Sequence, residues 1–216
     1  MTDSTKTVIV DYGVGNVRSV ASMLLHLGVR ATVTSQPELV ERAERIFLPG
    51  VGAWDAAATA LANNGLKDAL RMAVVGRGVP TLGLCLGMQL LFESGEEGVL
   101  PGLGFLPGAV VRLPEQPGLR IPHMGWNDVA PTREHPIWAL RQDSLEYADL
   151  ESAHHFYFVH SYRAQCDSEY VIGTTEHGIR FPSVVCKDNV IGAQFHPEKS
   201  HRFGMRFFAN FLEFAP

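Results

Sequence analysis

Apolar residues in the first half of the chain fall into short continuous runs separated by stretches of helical period. Thr7 to Val10 is one such run, ending at Asp11-Tyr12-Gly13-Val14-Gly15-Asn16, and Val17 to Leu27 follows with helical spacing. Ala31 to Thr34 and Arg45 to Leu48 are two more strand-like runs, and Ala56 to Ala62 and Leu66 to Val75 read as helices. Pro80 to Leu84 is a buried strand by the same test. Leu86 to Glu93 is a predicted helix, with Leu86, Leu90 and Leu91 on one face. Strands alternating with helices predict an α/β fold, a doubly wound and mostly parallel sheet with right-handed crossovers. In such sheets, functional groups collect beyond the carboxyl ends of the strands.

The second half has another rhythm. Gly95 to Pro122 is rich in glycine and proline, with one predicted strand at Ala109 to Leu113. Ile121-Pro122-His123-Met124-Gly125-Trp126-Asn127 is apolar and aromatic but broken by turn formers. Two readings stay open there: a turn with Trp126 packed inward, or a docking surface. Pro131 to Ala153 is polar and reads as helix or loop. Phe156 to Val159 is strand-like and ends at His160-Ser161-Tyr162. Val171 to Thr175, Ser183 to Cys186 and Val190 to Gln194 are further strands, and their succession without helices predicts an antiparallel extension of the sheet. Phe203, Phe207, Phe211 and Phe214 mark the apolar stripe of a closing helix. The expected organisation is a polar tail over residues 1–6 and one domain over residues 7–216.

Composition narrows the class. At 216 residues, 46% hydrophobic and 19% charged, the chain can bury a sizeable core, which excludes extended disorder. A net charge of −5 without a basic block argues against nucleic acid as a partner. No apolar run approaches the ~20 residues of a membrane span, and no hydrophobic stretch follows a basic start as in a secretory signal. The cysteines, at 85, 166 and 186, are odd in number and widely spaced, so they make no disulfide framework. A cytoplasmic protein without membrane association is expected.

Candidate chemistry begins at Gly83-Leu84-Cys85-Leu86-Gly87, where Cys85 sits at the break between a predicted strand and a predicted helix. This spacing has the form of a nucleophile elbow, with small flanking residues that let the chain turn sharply and hold the apical side chain exposed. The start of a helix favours negative charge, and the thiolate is the attacking form of cysteine. A lone cysteine is ordinarily a buried core residue; the paired glycines and the strand-to-helix break weigh against that here. Asp11 to Asn16 and Pro49-Gly50-Val51-Gly52 also follow strand ends, so three stretches converge on one sheet edge. The Gly13-x-Gly15 pair does not make a dinucleotide fingerprint, because Arg18 stands where the third glycine belongs. No cofactor is expected.

Phe195-His196-Pro197-Glu198-Lys199-Ser200 supplies a partner for Cys85. Proline biases the preceding residue to extended backbone, and in extended chain residues two apart point the same way. Glu198 can then bond one nitrogen of His196 and leave the other free, which holds a general base in its working tautomer. His154, His155, His160 and His177 lack zinc-ligand spacing and no H-E-x-x-H occurs, so no metal is expected. Cys166 and Cys186 have no elbow around them and read as inert.

Gly83 to Gln89 taken with Phe195 to Glu198 resembles the signature of class I (triad) glutamine amidotransferases. Asp11 to Asn16, Pro49 to Gly52, Pro122 to Asn127, Phe158 to Tyr162 and Gln194 to Ser200 are similar to the glutaminase subunits of imidazole glycerol phosphate synthase within that class. The resemblance runs from about residue 7 to the end. It implies a Cys85–His196–Glu198 triad acting on L-glutamine, with an oxyanion hole from Leu86 and from Val51 and Gly52. It further implies substrate contacts from Gly50, Gly87, Gln89, His160, Ser161, Tyr162 and Glu97, the last in competition with the adjacent Glu96. A (β/α)8-barrel cyclase subunit is the implied partner in a heterodimer of histidine biosynthesis, with Asn16, Arg18, Trp126 and Lys199 as interface candidates. The competing readings are a stand-alone cysteine hydrolase of γ-glutamyl compounds and a catalytically silent binding subunit; a nucleotide-binding oxidoreductase is the weakest rival.

Overall fold

The computed structural model describes residues 6–140, 150 and 154–216. The predicted tail, apart from Lys6, and most of the later part of the polar Pro131–Ala153 segment lie outside the described residues. The first half of the chain forms β1 (Thr7–Val10), α1 (Val17–His26), β2 (Thr32–Thr34), α2 (Pro37–Arg42), β3 (Arg45–Gly50), α3 (Trp54–Asn63), α4 (Leu66–Arg71), β4 (Thr81–Cys85) and α5 (Leu86–Gln89). The second half forms β5 (Ser94–Gly95), β6 (Ala109–Arg112), β7 (His123–Asp128), β8 (Ala130–Pro131), β9 (His155–His160), β10 (Tyr162–Gln165), β11 (Val171–His177), β12 (Ile179–Lys187), β13 (Val190–Ala193) and α6 (His201–Glu213).

The main sheet has eight strands in the order β2-β1-β3-β4-β13-β12-β11-β8. From β2 through β13 neighbours run parallel, and from β12 onward they run antiparallel. The antiparallel extension is therefore present as expected: β11, β12 and β13 pair antiparallel in succession, and β13 joins them to the parallel half by pairing in parallel with β4. Two small sheets stand apart, β10-β6-β5 and the β7-β9 ribbon, a division that the apolar pattern did not reveal.

Alternation along the parallel strands feeds two cores. Val8, Val10, Ile46 and Leu48 face a layer with Trp54 and Ala57 of α3 and Leu66 and Leu70 of α4. Ile9 and Phe47 face the other layer, against Val20 and Leu24 of α1 and Phe207, Phe208 and Phe211 of α6. The Phe47 ring meets Phe208 and Phe211 edge-on at 5.1 and 5.0 Å, a geometry worth ~1 kcal/mol per pair beyond the buried area. The phenylalanine stripe of the closing helix is thus core, as expected. None of the described helices is long and apolar enough to cross a membrane.

Two helices depart from the expected pattern. α2 was not read from the sequence, although Pro37 at its first position after an extended Gln36 is a start signal. α5 ends at Gln89 instead of Glu93. The N–H groups of Leu91 and Phe92 tighten onto Met88 and Gln89, and the carbonyls of Leu90, Leu91, Phe92 and Glu93 are taken by N–H groups of the Gly102–Leu106 segment. A distant segment, invisible to local periodicity, supplies the partners that helix continuation would have required.

The elbow glycines act by proximity. Gly50, Gly83 and Gly87 have no positive φ, so the sharp turn does not come from them. A Cβ on Gly83 would lie 2.7 Å from the Gly87 carbonyl oxygen, one on Gly50 would lie 2.7 Å from the Gly87 nitrogen, and one on Gly87 would collide with the Leu48 carbonyl. α5 is laid backbone to backbone on β3 and β4. Gly87→Ala is expected to cost ~3 kcal/mol through overpacking, seen as a lowered denaturant midpoint with an unchanged slope.

Candidate active site

Cys85 is the last residue of β4 and precedes the first turn of α5. Its backbone stands at φ 53 and ψ −111, a region that a non-glycine residue occupies at a cost of ~1–3 kcal/mol. The strain sits on the cysteine itself. Its sulfur lies 3.9 Å from the Val159 carbonyl and 3.9 Å from Nε2 of Gln194. The buried Tyr12 hydroxyl has no hydrogen-bond partner among the described residues, and burial, reinforced by Cys85, pushes the phenol far above its ordinary range.

Because β13 pairs in parallel with β4, with Ala193 opposite Leu84, the chain leaving β13 emerges beside Cys85. His196 is extended, at φ −107 and ψ 90, as the following proline requires. Pro197–Lys199 then forms a 3-10 turn, so Glu198 does not reach the imidazole along extended chain as expected. The turn is fixed by Ser200, whose Oγ donates to the His196 carbonyl at 2.6 Å, and by the close approach of Gly204 to the Pro197 carbonyl. The expected pair forms all the same: Glu198 Oε1 is 2.8 Å from His196 Nδ1, with both side chains 2% exposed. His196 Nε2 and Glu198 Oε2 are buried without a hydrogen-bond partner among the described residues. Burial opposes charge on the imidazole, but the adjacent Cys85 and Glu198 outweigh it and raise the His196 pKa to about 9.

A cavity of about 290 Å³ opens at this edge, lined by Val51, Gly52, Cys85, Leu86, Gln89, Glu97, Pro122, Val159, His160, Ser161, Tyr162 and His196. Leu86, as the first residue of α5, has an N–H without an intrahelical acceptor. Gly50 and Gly87, expected as substrate contacts, do not line the cavity; they are consumed by the packing of α5 on β3. Of the two adjacent glutamates, Glu97 reaches the cavity, its Oε2 accepting from the Trp54 N–H at 3.0 Å, while Glu96 accepts from the Arg112 N–H at an exposed position. The Asp55 carboxylate accepts from Val99 and Leu100 N–H and clamps this loop onto the start of α3. Burial holds the Glu97 carboxyl above its ordinary range, against the effect of the Trp54 N–H.

Gln194 was missed from the sequence. It is fully buried, and its Oε1 accepts from Gln89 Nε2 at 3.1 Å while its own Nε2 faces the Cys85 sulfur. The available signal was a polar residue ending an apolar strand two positions before His196. Trp126 resolves its open alternative outward: it is 42% exposed and stacks on His155 and His201 at 5.3 and 5.6 Å. Lys199 lies over the Tyr157 ring on the same face, Arg18 is exposed and Asn16 is half-buried. Cys166 and Cys186 are outside the cavity, and burial pushes each thiol up to about 11.

Residues 8–214 match the family described as Glutamine amidotransferase class-I. The chain is 43% identical to the imidazole glycerol phosphate synthase subunit HisH 2 of Pseudomonas aeruginosa, over 95% of this chain and 98% of that one. It is 45% identical to the subunit of the same name from Methanococcus maripaludis, over 96% and 98%. Among solved structures it is similar to a glutamine amidotransferase, with a TM-score of 0.70 at 23% identity over 95% and 97% of the two chains, a likeness of fold.

Two measurements test this geometry. Cys85→Gly is expected to be more stable than Cys85→Ala by ~1 kcal/mol, because glycine relieves the positive φ that alanine retains; equal denaturation midpoints would contradict the strain. His196 has an ordinary value of 6.5 and a folded value of about 9, so its contribution to stability is full below 6.5 and lost as pH rises through 9. Glu198→Gln is expected to lower the His196 titration midpoint in histidine NMR spectra and to flatten the fall in stability between those limits.

Proposed function

The chain belongs to the class-I glutamine amidotransferase family, and on that premise we propose that it is the glutaminase subunit of an imidazole glycerol phosphate synthase. The observation that carries this reading is a strained cysteine in the wall of a cavity, beside an imidazole whose far nitrogen is held by a buried carboxylate. The Cys85 thiolate attacks the side-chain carboxamide carbon of L-glutamine. The N–H of Leu86, with one from Val51 or Gly52, receives the tetrahedral oxyanion. The His196 imidazolium gives its proton to the departing amine, which leaves as ammonia, and a thioester remains. The neutral ring then takes a proton from water as that water attacks the thioester. Glutamate departs, and the thiolate–imidazolium pair is restored. Gln89 and Glu97 suit the α-amino end of the substrate, since both Gln89 amide hydrogens are committed and its oxygen accepts no hydrogen bond among the described residues.

Ammonia released into water would be protonated and lost to further chemistry, so the reaction calls for a sealed acceptor. The proposed acceptor is a (β/α)8-barrel cyclase subunit that consumes ammonia and yields imidazole glycerol phosphate and an aminoimidazole carboxamide ribotide. Met124 and Trp126, 62% and 42% exposed on one side of β7, together with Lys199, Arg18 and Asn16, are the proposed docking residues, since exposed aromatic and apolar side chains with flanking polar groups are the usual anchors of such contacts. The deciding assay is glutamine hydrolysis by the chain alone and with a cyclase barrel carrying its ribotide ligand. Activation of ~10²–10³-fold is expected, the scale of one oxyanion donor brought into place, and Cys85→Ala is expected to abolish ammonia release. Full turnover by the chain alone would overturn the subunit reading in favour of a stand-alone hydrolase.

A further inference from the structure

We infer that His123 and Asn127 are positioning residues, which hold the Tyr162 carbonyl and Gln89 in their glutamine-binding form through a hydrogen-bond chain with one permitted direction. This inference deepens the glutaminase reading and rests on it. Asn127 is oriented by backbone groups that cannot be reversed: its Nδ2 donates to the Glu176 carbonyl at 2.9 Å and its Oδ1 accepts from the Asp128 N–H at 2.8 Å. The remaining Nδ2 hydrogen points to His123 Nε2 at 3.1 Å, so that nitrogen must carry a lone pair. The His123 proton is then on Nδ1, 2.9 Å from His160 Nε2, which must accept it. The His160 proton is in turn on Nδ1 and is donated to the Tyr162 carbonyl at 2.8 Å.

The far end is fixed as firmly. Gln89 Nε2 donates to the same Tyr162 carbonyl at 3.1 Å and to Gln194 Oε1 at 3.1 Å, which leaves the Gln194 amide nitrogen toward the Cys85 sulfur. Each group between Asn127 and Cys85 has a single state that satisfies every neighbour. Both rings of the chain are neutral in that state, in keeping with burial: desolvation, helped by His177, lowers His123 to about 4, and desolvation, helped by His123, His177 and His196, lowers His160 to about 3. His123 is also stacked between Phe158 and His177, with centroids at 4.7 and 4.1 Å.

This arrangement does more than fill space. His123 and Asn127 lie on the inward side of β7, the strand whose outward side carries Met124 and Trp126. The shared acceptor at its other end is the carbonyl that holds Gln89 at the cavity wall. Removing the donor at His123 leaves His160 Nε2 buried and unpaired. The ring then keeps its proton on Nδ1 but loses one of the two hydrogen bonds that set its orientation against the Tyr162 carbonyl.

The test sets two near-isosteric substitutions against each other. Leucine at 123 suits the apolar stack but has no donor; asparagine places an amide N–H where Nδ1 was. A packing role predicts that His123→Leu is the milder change, and a positioning role predicts the reverse order. On a Cys85→Ala background, glutamine binding by calorimetry is expected to weaken about tenfold in His123→Leu and to stay within about threefold in His123→Asn, the scale of one buried hydrogen bond. In the unsubstituted chain, nitrogen-15 histidine spectra are expected to show both His123 and His160 protonated on Nδ1, and Asn127→Leu to move the His123 Nε2 resonance, which loses its donor, while both rings stay protonated on Nδ1. Equal binding by the two His123 variants, or an Nε2–H tautomer on either ring of the unsubstituted chain, would overturn the inference. Failure of the Cys85→Ala chain to bind glutamine at all would instead overturn the substrate reading, and the spectra would still decide whether the chain has its inferred direction.

Discussion

The close approach of α5 to β3 and β4 is the constraint on which the rest of the active edge depends. Gly50, Gly83 and Gly87 remove the three Cβ atoms that would hold these backbones apart, and with that separation gone the chain has too little room to leave β4 gradually. The reversal is forced into one residue, Cys85, at φ 53 and ψ −111. A strained dihedral of this kind persists only where the surroundings over-determine it. Here the surroundings are two strands of a parallel sheet buried on both faces, among the stiffest elements a small protein can offer. The sulfur is thereby held at the sheet edge without relying on its own packing, and the residues that fix it are backbone atoms that substitution elsewhere scarcely disturbs.

The second half of the site arrives by a different route. His196 leaves β13 in the same sheet, but its environment is set by β9 in the small ribbon. The His196 N–H donates to the Tyr157 carbonyl, the Tyr157 N–H donates to Ser200 Oγ, and Val159 and His160 line the cavity. One strand thus touches the imidazole, the turn that carries Glu198, and the sulfur. Its hydrogen-bonded neighbour β7 presents Met124 and Trp126 to the outside. The cavity is the seam between a rigid sheet that carries Cys85 and a ribbon that joins an exposed face to His196.

These facts also explain what the sequence could disclose. The alternation of short apolar runs with helical stretches located β1, β3, β4, α1 and α6, because each buries a face whose period is local. Cys85 and the His196–Glu198 pair were legible because their signals are compact, a spacing of glycines in one case and a proline-flanked pair in the other. The early end of α5 was not legible, since its carbonyl partners come from Gly102 to Leu106. Glu97 could not be separated from Glu96 because the choice is made by Asp55 and Trp54, some forty residues earlier in the chain. Gln194 and the His123–His160 contact were hidden for the same reason: a buried polar group is recognised by its partners, and those partners are remote in sequence. The His196–Glu198 pair was anticipated through extended geometry and formed through a 3-10 turn, a reminder that residue proximity of two leaves more than one path to the same contact.

The walls of the cavity differ in how tightly they are held, and the difference bears on control. Cys85, Gln89, His160 and His196 are buried and tied to backbone or to one another. The Val51–Ala53 loop is exposed, Gly52 stands at φ 99, and a Cβ placed on Gly52 would meet nothing within 4 Å. Local rearrangement costs least where few contacts must be broken, so any adjustment of this edge falls on the loop from which the second oxyanion donor is proposed to come. A glutaminase whose ammonia has value only in the presence of an acceptor gains from such a distribution. In the proposed reading, Cys85 and His196 are held by buried contacts, while the proposed oxyanion donor sits on an exposed loop that a docked neighbour would reach without disturbing the core.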